Sequence, residues 1–589
     1  MNQQKLPFPA ERKPWETNRV RLEGSRKRAL DTGRNRVVVT AVLFGLAFSV
    51  IAGRLVELTV LDQAHEPQLA QSTDARSWTA ERADVLDRNG FVLATSLPTV
   101  SVYADPREVL DPVDAANRLG SVLPDLDRHA IATKLSSPSR FVWVRRNLTP
   151  TQHFEINRLG IPGIQFQRGE RRVYPHGRAA AHVLGLTDLD GRGIAGVERF
   201  FDARLRERAG PLNLSLDIRL QSIVRDELAR AVQEFRALGG AAVVLDANTG
   251  ETLAMTSLPD FDPNISETLR GEAGFNRAAL GVYEMGSTFK LFTAAMALDA
   301  GTVTLEGGYD ASKPIRVARF TISDYHAKNR WLSVPEILVH SSNIGAAKMA
   351  VDVGGEAQRD YLKRLGLLSS PAVELPEVGR PLSPGRWREI NTMTISYGHG
   401  IAVSPLQLAS AVSTLVNGGV QYGPTLLRHE QGSSITGERV LTTDTSKKVR
   451  GLMELVVKHG TGKNAAVAGY RIGGKTGTAE KQVAGGYRKK DLISSFVGAF
   501  PMENPRYVVL ALVDGPHGNK RTFNYATGGW VAAPMVGRII ERMAPLMGIA
   551  PTKLEGGDAR RIAKPTKGTL MVALREAIAD ARETQGASH

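Results

Sequence analysis

Glu284-Met285-Gly286-Ser287-Thr288-Phe289-Lys290 sets a hydroxyl and an amine three residues apart, directly ahead of the apolar run Leu291, Phe292, Ala294, Ala295, Met296, Leu298. That apolar spacing predicts a helix. Ser287 then lies near the helix N-terminus, with Lys290 about one turn on and on the same face, so a base stands beside a nucleophile. A serine hydroxyl is inert at neutral pH unless a neighbour takes its proton. A lysine does this only where desolvation or a second cation lowers its pKa. About one or two Ser-x-x-Lys pairs arise by accident in a chain of this size; Ser287/Lys290 is the only one here.

Working outward, the same region holds two more short motifs. Ser341-Ser342-Asn343 precedes Ile344-Gly345-Ala346-Ala347, and Lys475-Thr476-Gly477-Thr478 follows Gly473-Gly474. Taken singly, each has an ordinary use: Ser341 and Asn343 suit a helix cap, and Lys475 suits a charge guarding a sheet edge. Gly460-Thr461-Gly462-Lys463 is not a phosphate loop, because Val457 and Asn464 stand where that pattern requires Gly and Ser or Thr. Neither His153, His176 and His182 nor His326, His340 and His399 have a metal-ligand spacing, so no metal site is expected.

The unit around these motifs opens at Gly239-Gly240. Residues 241–245 and 252–256 predict two strands about the turn Asp246-Ala247-Asn248-Thr249-Gly250. Residues 493–500 and 507–513 predict two buried strands at the far end. Strands at both ends with helices between them indicate an α+β domain with one antiparallel sheet over 236–547. Residues 548–589 are polar and rich in Gly, Lys and Arg, and predict a mostly disordered tail with one short amphipathic stretch at 570–581.

Upstream, residues 1–36 are polar and basic, and the run from Val37 to Gly53 carries no charge, continuing past Arg54 into Leu55-Val56. This predicts a basic cytoplasmic tail followed by a transmembrane helix over 37–56, with the N-terminus inside. Residues 57–235 alternate short strands with turns and charged helices. Asp87-Arg88-Asn89-Gly90 predicts a hairpin. Residues 212–216 predict a strand, and the pattern Leu220, Ile223, Leu228, Val232 after Asp217 predicts a helix closing this non-catalytic spacer. The chain of 589 residues has 42% hydrophobic and 23% charged residues, as globular proteins do. Its net charge of +15 suits an anionic membrane surface or an acidic polymer. Nucleic acid is not indicated, since no zinc-finger spacing or aromatic-laced basic stripe accompanies the charge. The absence of cysteine excludes disulfides and thiolate metal sites.

The ordered set Ser-x-x-Lys, Ser-x-Asn and Lys-Thr-Gly resembles that of the penicillin-binding protein and serine β-lactamase superfamily. Further stretches are similar to the family: Asp87-Arg88-Asn89-Gly90, Leu216-Asp217-Ile218-Arg219-Leu220-Gln221, Tyr397-Gly398-His399-Gly400, Pro405-Leu406-Gln407-Leu408, Gly460-Thr461-Gly462-Lys463, and Gly528-Gly529 with Ala532-Ala533-Pro534. The likeness runs from the apolar span to about Ile540 and is to the monofunctional class B proteins; no glycosyltransferase-like domain precedes the spacer. Ser341-Ser342-Asn343-Ile344-Gly345 is similar to the division-specific transpeptidases.

The resemblance implies a transpeptidase domain on an N-terminal pedestal, anchored by one transmembrane helix, with the catalytic domain in the periplasm. It implies that Ser287 attacks a D-Ala-D-Ala stem peptide and Lys290 takes its proton. Ser341 relays a proton, and the Asn343 amide holds the substrate's peptide group. Lys475 with the Thr476 and Thr478 hydroxyls binds the terminal carboxylate, and Gly477 lets the substrate approach the strand. The N–H groups of Ser287 and Thr478 form the oxyanion hole. No cofactor is implied. The implied partners are peptidoglycan stem peptides, β-lactams, a lipid II polymerase and other divisome proteins. A D,D-carboxypeptidase or β-lactam-binding relative, and a catalytically silent divisome scaffold, are the alternatives.

Overall fold

The computed structural model describes residues 39–52, 82–207, 210–317, 320–430, 432–483, 486–551 and 567–586. Val85–Leu86 (β1) and Val92–Ala104 (β2) pair antiparallel around the Asp87-Arg88-Asn89-Gly90 turn, as the sequence predicts. Asp87 Oδ1 accepts from the N–H groups of Asn89 and Phe91 at 2.7 and 2.9 Å, and Gly90 takes a φ of 86°. Only glycine adopts that conformation freely.

β2 is the spine of the first domain. Beyond its pairing with β1 it carries Val142–Leu148 (β3) on one edge and Ile164–Val173 (β4) on the other. The helices Pro112–Val122 (α1), Arg128–Leu135 (α2) and Pro150–Leu159 (α3) accompany it. Val102, Leu119, Leu123, Ile131 and Leu135 form its core. Nearby, the buried Glu198 carboxylate takes Arg82 Nε at 2.5 Å and Arg172 Nε at 2.7 Å. The strand expected over 212–216 is shorter: only Leu212–Asn213 (β5) joins the ladder, parallel to β1.

The next helix, Ile218–Glu234 (α4), was expected to close the spacer. Instead Leu220, Val224, Leu228 and Ala231 on its apolar stripe share a core with Ala242, Val244, Leu253 and Val509 of the second domain's sheet. An amphipathic helix goes where its stripe is covered, and here the second domain's sheet covers it. The Asp87 turn reaches across to it, with Asp87 Oδ2 accepting from Ile218 N–H at 3.1 Å.

That sheet is formed by Gly239–Asp246 (β6), Thr252–Leu258 (β7), Gly473–Val483 (β8), Gly486–Phe500 (β9) and Tyr507–Asp514 (β10). Its order is β8-β9-β10-β6-β7 with every pair antiparallel. Side chains alternate across a strand. Ala241, Val243 and Leu245 therefore enter one core, and Ala242 and Val244 enter the other with α4 and Ala532–Leu546 (α11). Between β7 and β8 the chain forms Lys290–Asp299 (α5), Val334–Val339 (α6), Asn343–Val353 (α7), Glu389–Ile395 (α8), Pro405–Val416 (α9) and Thr443–His459 (α10), which supply the first core.

In the expected C-terminal tail, the amphipathic stretch at 570–581 lies within a longer helix, Lys567–Gly586 (α12), whose Leu570 and Leu574 are buried in the first core; residues 552–566 lie outside the described residues. Gly451 on α10 makes the room, since a Cβ there would meet Leu574 Cδ1 at 2.8 Å and Ile578 Cγ1 at 3.1 Å. At the other end, residues 39–52 of the expected span are helical with exposed apolar side chains, in a unit separate from Thr79–His589. Among the described residues no helix is long and apolar enough to cross a membrane. The rest of the expected tail and span lies outside the described residues.

Candidate active site

Ser287 sits in a 3₁₀ turn, Gly286–Phe289, that runs straight into α5, of which Lys290 is the first residue. The sequence predicts an α-helical turn here; the tighter turn serves better, because side chains three apart eclipse in a 3₁₀ helix. Lys290 Nζ lies 3.0 Å from Ser287 Oγ. Gly286, at a φ of 56°, is wedged: a Cβ there would lie 2.5 Å from the Thr478 carbonyl, and one on Gly398 would lie 2.2 Å from the Gly286 carbonyl. The Tyr397–Gly400 stretch and β8 thus hold the Ser287 turn from two sides, and Gly400 N–H donates to Glu284 Oε1 at 2.8 Å.

Lys290 Nζ is also 2.6 Å from the Ser341 carbonyl, 2.7 Å from Asn343 Oδ1 and 3.1 Å from Ser341 Oγ. The two shortest contacts are to oxygens that only accept. A neutral amine therefore spends its two N–H bonds there and turns its lone pair to the serine hydroxyls. Lys290 is 1% exposed and Lys475 0%, and among the described residues their amines meet hydroxyl, carbonyl and amide oxygens. Burial first, then the Lys475 charge, hold Lys290 well below the usual lysine range, while Asp324 acts the other way. Burial brings Lys475 down to about 7. Lys475 Nζ lies 3.1 Å from Ser341 Oγ, so that hydroxyl bridges the two amines. Ser341 takes a φ of 57° to reach them. A non-glycine residue in that region costs about 1–3 kcal/mol and marks a position the surroundings over-determine.

The plain helix-cap reading of Ser341 and Asn343 falls to Ser342, whose Oγ accepts from Gly345 N–H at 3.0 Å as the N-cap of α7. Lys475 lies on an edge strand, but its burial removes it from any solvent-facing guard role. Asn343 uses Oδ1 for Lys290 and donates from Nδ2 to the Ser323 carbonyl at 2.9 Å, leaving one N–H for a ligand. Thr476 Oγ1 is 2.7 Å from Thr461 Oγ1 and 3.4 Å from Lys475 Nζ. Thr478 Oγ1 accepts from Gly528 N–H at 3.0 Å. At Gly477 a Cβ would lie 2.4 Å from the Met285 carbonyl and 2.3 Å from Ser495 Oγ, so the bare position accommodates the turn that carries Ser287.

Sequence reasoning missed Asp324. Its Oδ1 accepts from the N–H groups of Asn343 and Ile344 at 2.6 and 3.0 Å, and its Oδ2 from Ser342 Oγ at 2.7 Å. The signal was faint: a lone acid in a loop, 17 residues before Ser341. Thr461 was visible as a family stretch without a role. His326 packs on Tyr325 and His399 on Tyr397, with ring centroids 4.6 and 5.2 Å apart. Burial lowers the pKa of half-buried His340. Among the described residues no cluster of acids, histidines or cysteines could hold a metal.

Residues 240–541 match the family described as penicillin binding protein transpeptidase domain, and residues 77–223 match the penicillin-binding protein dimerisation domain. The chain is 42% identical over 481 residues to a probable peptidoglycan D,D-transpeptidase FtsI of Caulobacter vibrioides, covering 80% of this chain and 82% of that one. It is 33% identical over 556 residues to the peptidoglycan D,D-transpeptidase FtsI of Escherichia coli, covering 88% and 92%. A peptidoglycan synthetase from Bifidobacterium adolescentis, 22% identical, shares the fold with a TM-score of 0.64 over 83% of this chain and 98% of that one.

Proposed function

The chain belongs to the class B penicillin-binding proteins and is a peptidoglycan D,D-transpeptidase of the FtsI and PenA group, and on that premise we propose that Ser287 carries out septal cross-linking through an acyl-enzyme. Lys290, neutral, takes the Ser287 proton as Oγ bonds to the carbonyl carbon of the penultimate D-alanine. The N–H groups of Ser287 and Thr478 receive the oxyanion, donors of a kind that contribute about 3–4 kcal/mol each. The proton passes through Ser341 to the departing nitrogen as the C–N bond breaks and D-alanine leaves. An amine of a second stem peptide then attacks the ester, gives its proton to the same base, and restores the Ser287 hydroxyl. Lys475, with Thr476 and Thr478, binds the donor's terminal carboxylate while its ammonium is protonated. Asn343 offers its remaining N–H to the donor peptide.

The observation that supports this assignment is the continuous set of contacts from Ser287 Oγ through Lys290 Nζ and Ser341 Oγ to Lys475 Nζ, each 3.0–3.1 Å. A silent scaffold has no use for two buried amines sharing one hydroxyl. In the same proposal, residues 1–36 are a cytoplasmic tail and 37–56 a single inner-membrane span. The pedestal and transpeptidase domains stand in the periplasm, β-lactams acylate Ser287, and a lipid II polymerase and other division proteins are the partners. The test is mass spectrometry after incubation with benzylpenicillin. The expected result is a stable adduct on the peptide containing Ser287, absent from Ser287→Ala. No adduct on the folded wild-type protein overturns the assignment. With an acceptor amine present, cross-linked product is expected to exceed hydrolysed product.

A further inference from the structure

Asn343 and Ser341 meet Lys290 only if the chain entering α7 is held in one place, and the helix itself cannot hold it. The first N–H groups of any helix lack internal partners, and Ser341 stands in a left-handed conformation just before them. Ser342 satisfies Gly345 N–H with its own hydroxyl. The remaining two, Asn343 and Ile344, donate to a single carboxylate oxygen of Asp324, and the other oxygen accepts from Ser342 Oγ. The residue before it, Ser323, accepts from Asn343 Nδ2 and so fixes which end of that amide faces Lys290. One short loop segment therefore sets the backbone, the cap and the amide orientation of the whole Ser-x-Asn turn.

We propose that Asp324 is a positioning residue for acyl transfer: its carboxylate fixes the Ser342–Ile344 backbone so that Ser341 O and Asn343 Oδ1 accept from Lys290 Nζ and turn its lone pair to Ser287. The inference rests on the acyl-transfer reading of the same site. It also has an electrostatic side. The charged groups acting on Lys290 are Lys475 from β8, which lowers its proton affinity, and Asp324 from the loop, which raises it. Removing the carboxylate leaves Lys475 and burial unopposed, so the Lys290 pKa falls further. Neutral Lys290 then persists to lower pH, and the acid limb of the acylation profile moves to lower pH. A carboxylate that merely capped the helix by hydrogen bonds would slow the reaction without moving that limb.

The experiment is the pH profile of acylation by a fluorescent penicillin for wild-type, Asp324→Asn and Asp324→Glu proteins, each with a thermal melt to give the folded fraction. For Asp324→Asn, a fall of about 100-fold in acylation of the folded protein is expected, the scale of a misplacement near 1 Å. Its acid limb should lie at lower pH than in wild type. Asp324→Glu keeps the charge at altered reach, so its limb should stay near the wild-type position and its rate should fall between the other two. Acylation of Asp324→Asn within about twofold of wild type overturns the proposal, since a misplacement near 1 Å costs far more. So does a slowed reaction with an unmoved limb. If Asp324→Asn does not fold, the glutamate variant decides alone: a wild-type limb with a reduced rate supports positioning, and a wild-type rate overturns it. Wild-type protein that gives no adduct removes the acyl-transfer reading itself, a result separate from these.

Discussion

Gly477→Ala adds one methyl group beneath the turn that carries Ser287. The new Cβ would lie 2.4 Å from the Met285 carbonyl, 2.3 Å from Ser495 Oγ and 3.0 Å from Thr288 Cγ2. Ordinary contact begins near 3.4 Å, so the Met285 carbonyl must retreat by roughly 1 Å. Met285 is two residues from Ser287, and the Ser287–Lys290 contact of 3.0 Å depends on that turn. Overpacking of this kind costs about 1–3 kcal/mol of stability, and a displacement near 1 Å costs about 100-fold in rate. Both losses should therefore appear together, as a lower melting temperature and a slower second-order acylation by a fluorescent penicillin. Ser495→Ala removes one obstacle, and Ser495 Oγ is buried without a hydrogen-bond partner among the described residues, so that change alone should be nearly neutral. Combined with Gly477→Ala it should restore part of the stability and little of the rate, because the Met285 carbonyl is still obstructed. If glycine were there to admit substrate, Gly477→Ala would raise KM for a stem peptide while leaving the melt unchanged. That pattern, or acylation within threefold of wild type, would refute the packing argument.

Three further outcomes are expected. With burial bringing Lys475 to about 7, its ammonium is present below that pH and lost above it. The kcat/KM for a peptide ending in a carboxylate should fall as pH rises through about 7, and Lys475→Ala should lose that limb along with most activity. Leu574→Ala takes a buried side chain from the α12–α10 contact. A cost of about 2 kcal/mol, the low end for a buried leucine, should be read as a lower melt, and a chain ending after residue 551 should show the same shift. Glu198→Gln leaves Arg172 with a neutral partner in a buried site and Arg82 with Asp202 alone. The loss of about 3–5 kcal/mol should lower the melt, while acylation per folded molecule stays at the wild-type level.

What the sequence disclosed follows from how far each constraint reaches along the chain. The catalytic sheet was legible at its ends because β6, β7, β9 and β10 carry dense apolar runs, and a sheet buried on both faces requires them. The hairpin at Asp87 was legible because turn chemistry is local. The fate of α4 was not, since its amphipathic stripe states that it must be covered and not by which domain. The docking of the C-terminal amphipathic stretch was not legible for a related reason: Leu570 and Leu574 make a thin stripe in a polar segment, and the groove that receives them is created by Gly451, more than a hundred residues earlier.

The site divides in the same way. Ser287 and Lys290 announce themselves because their chemistry fits within one turn. Ser341, Asn343 and Lys475 gain meaning only as members of an ordered set, and Asp324 belongs to no motif at all. Its three hydrogen bonds are made across the fold to a turn whose geometry no spacing encodes. Gly477 was legible as a residue, but a missing side chain does not say which neighbour needs the space. Reacting groups are thus written locally, and the groups that hold them in register are fixed by tertiary contact. For this reason the Asp324 and Gly477 variants probe what the motifs alone leave open.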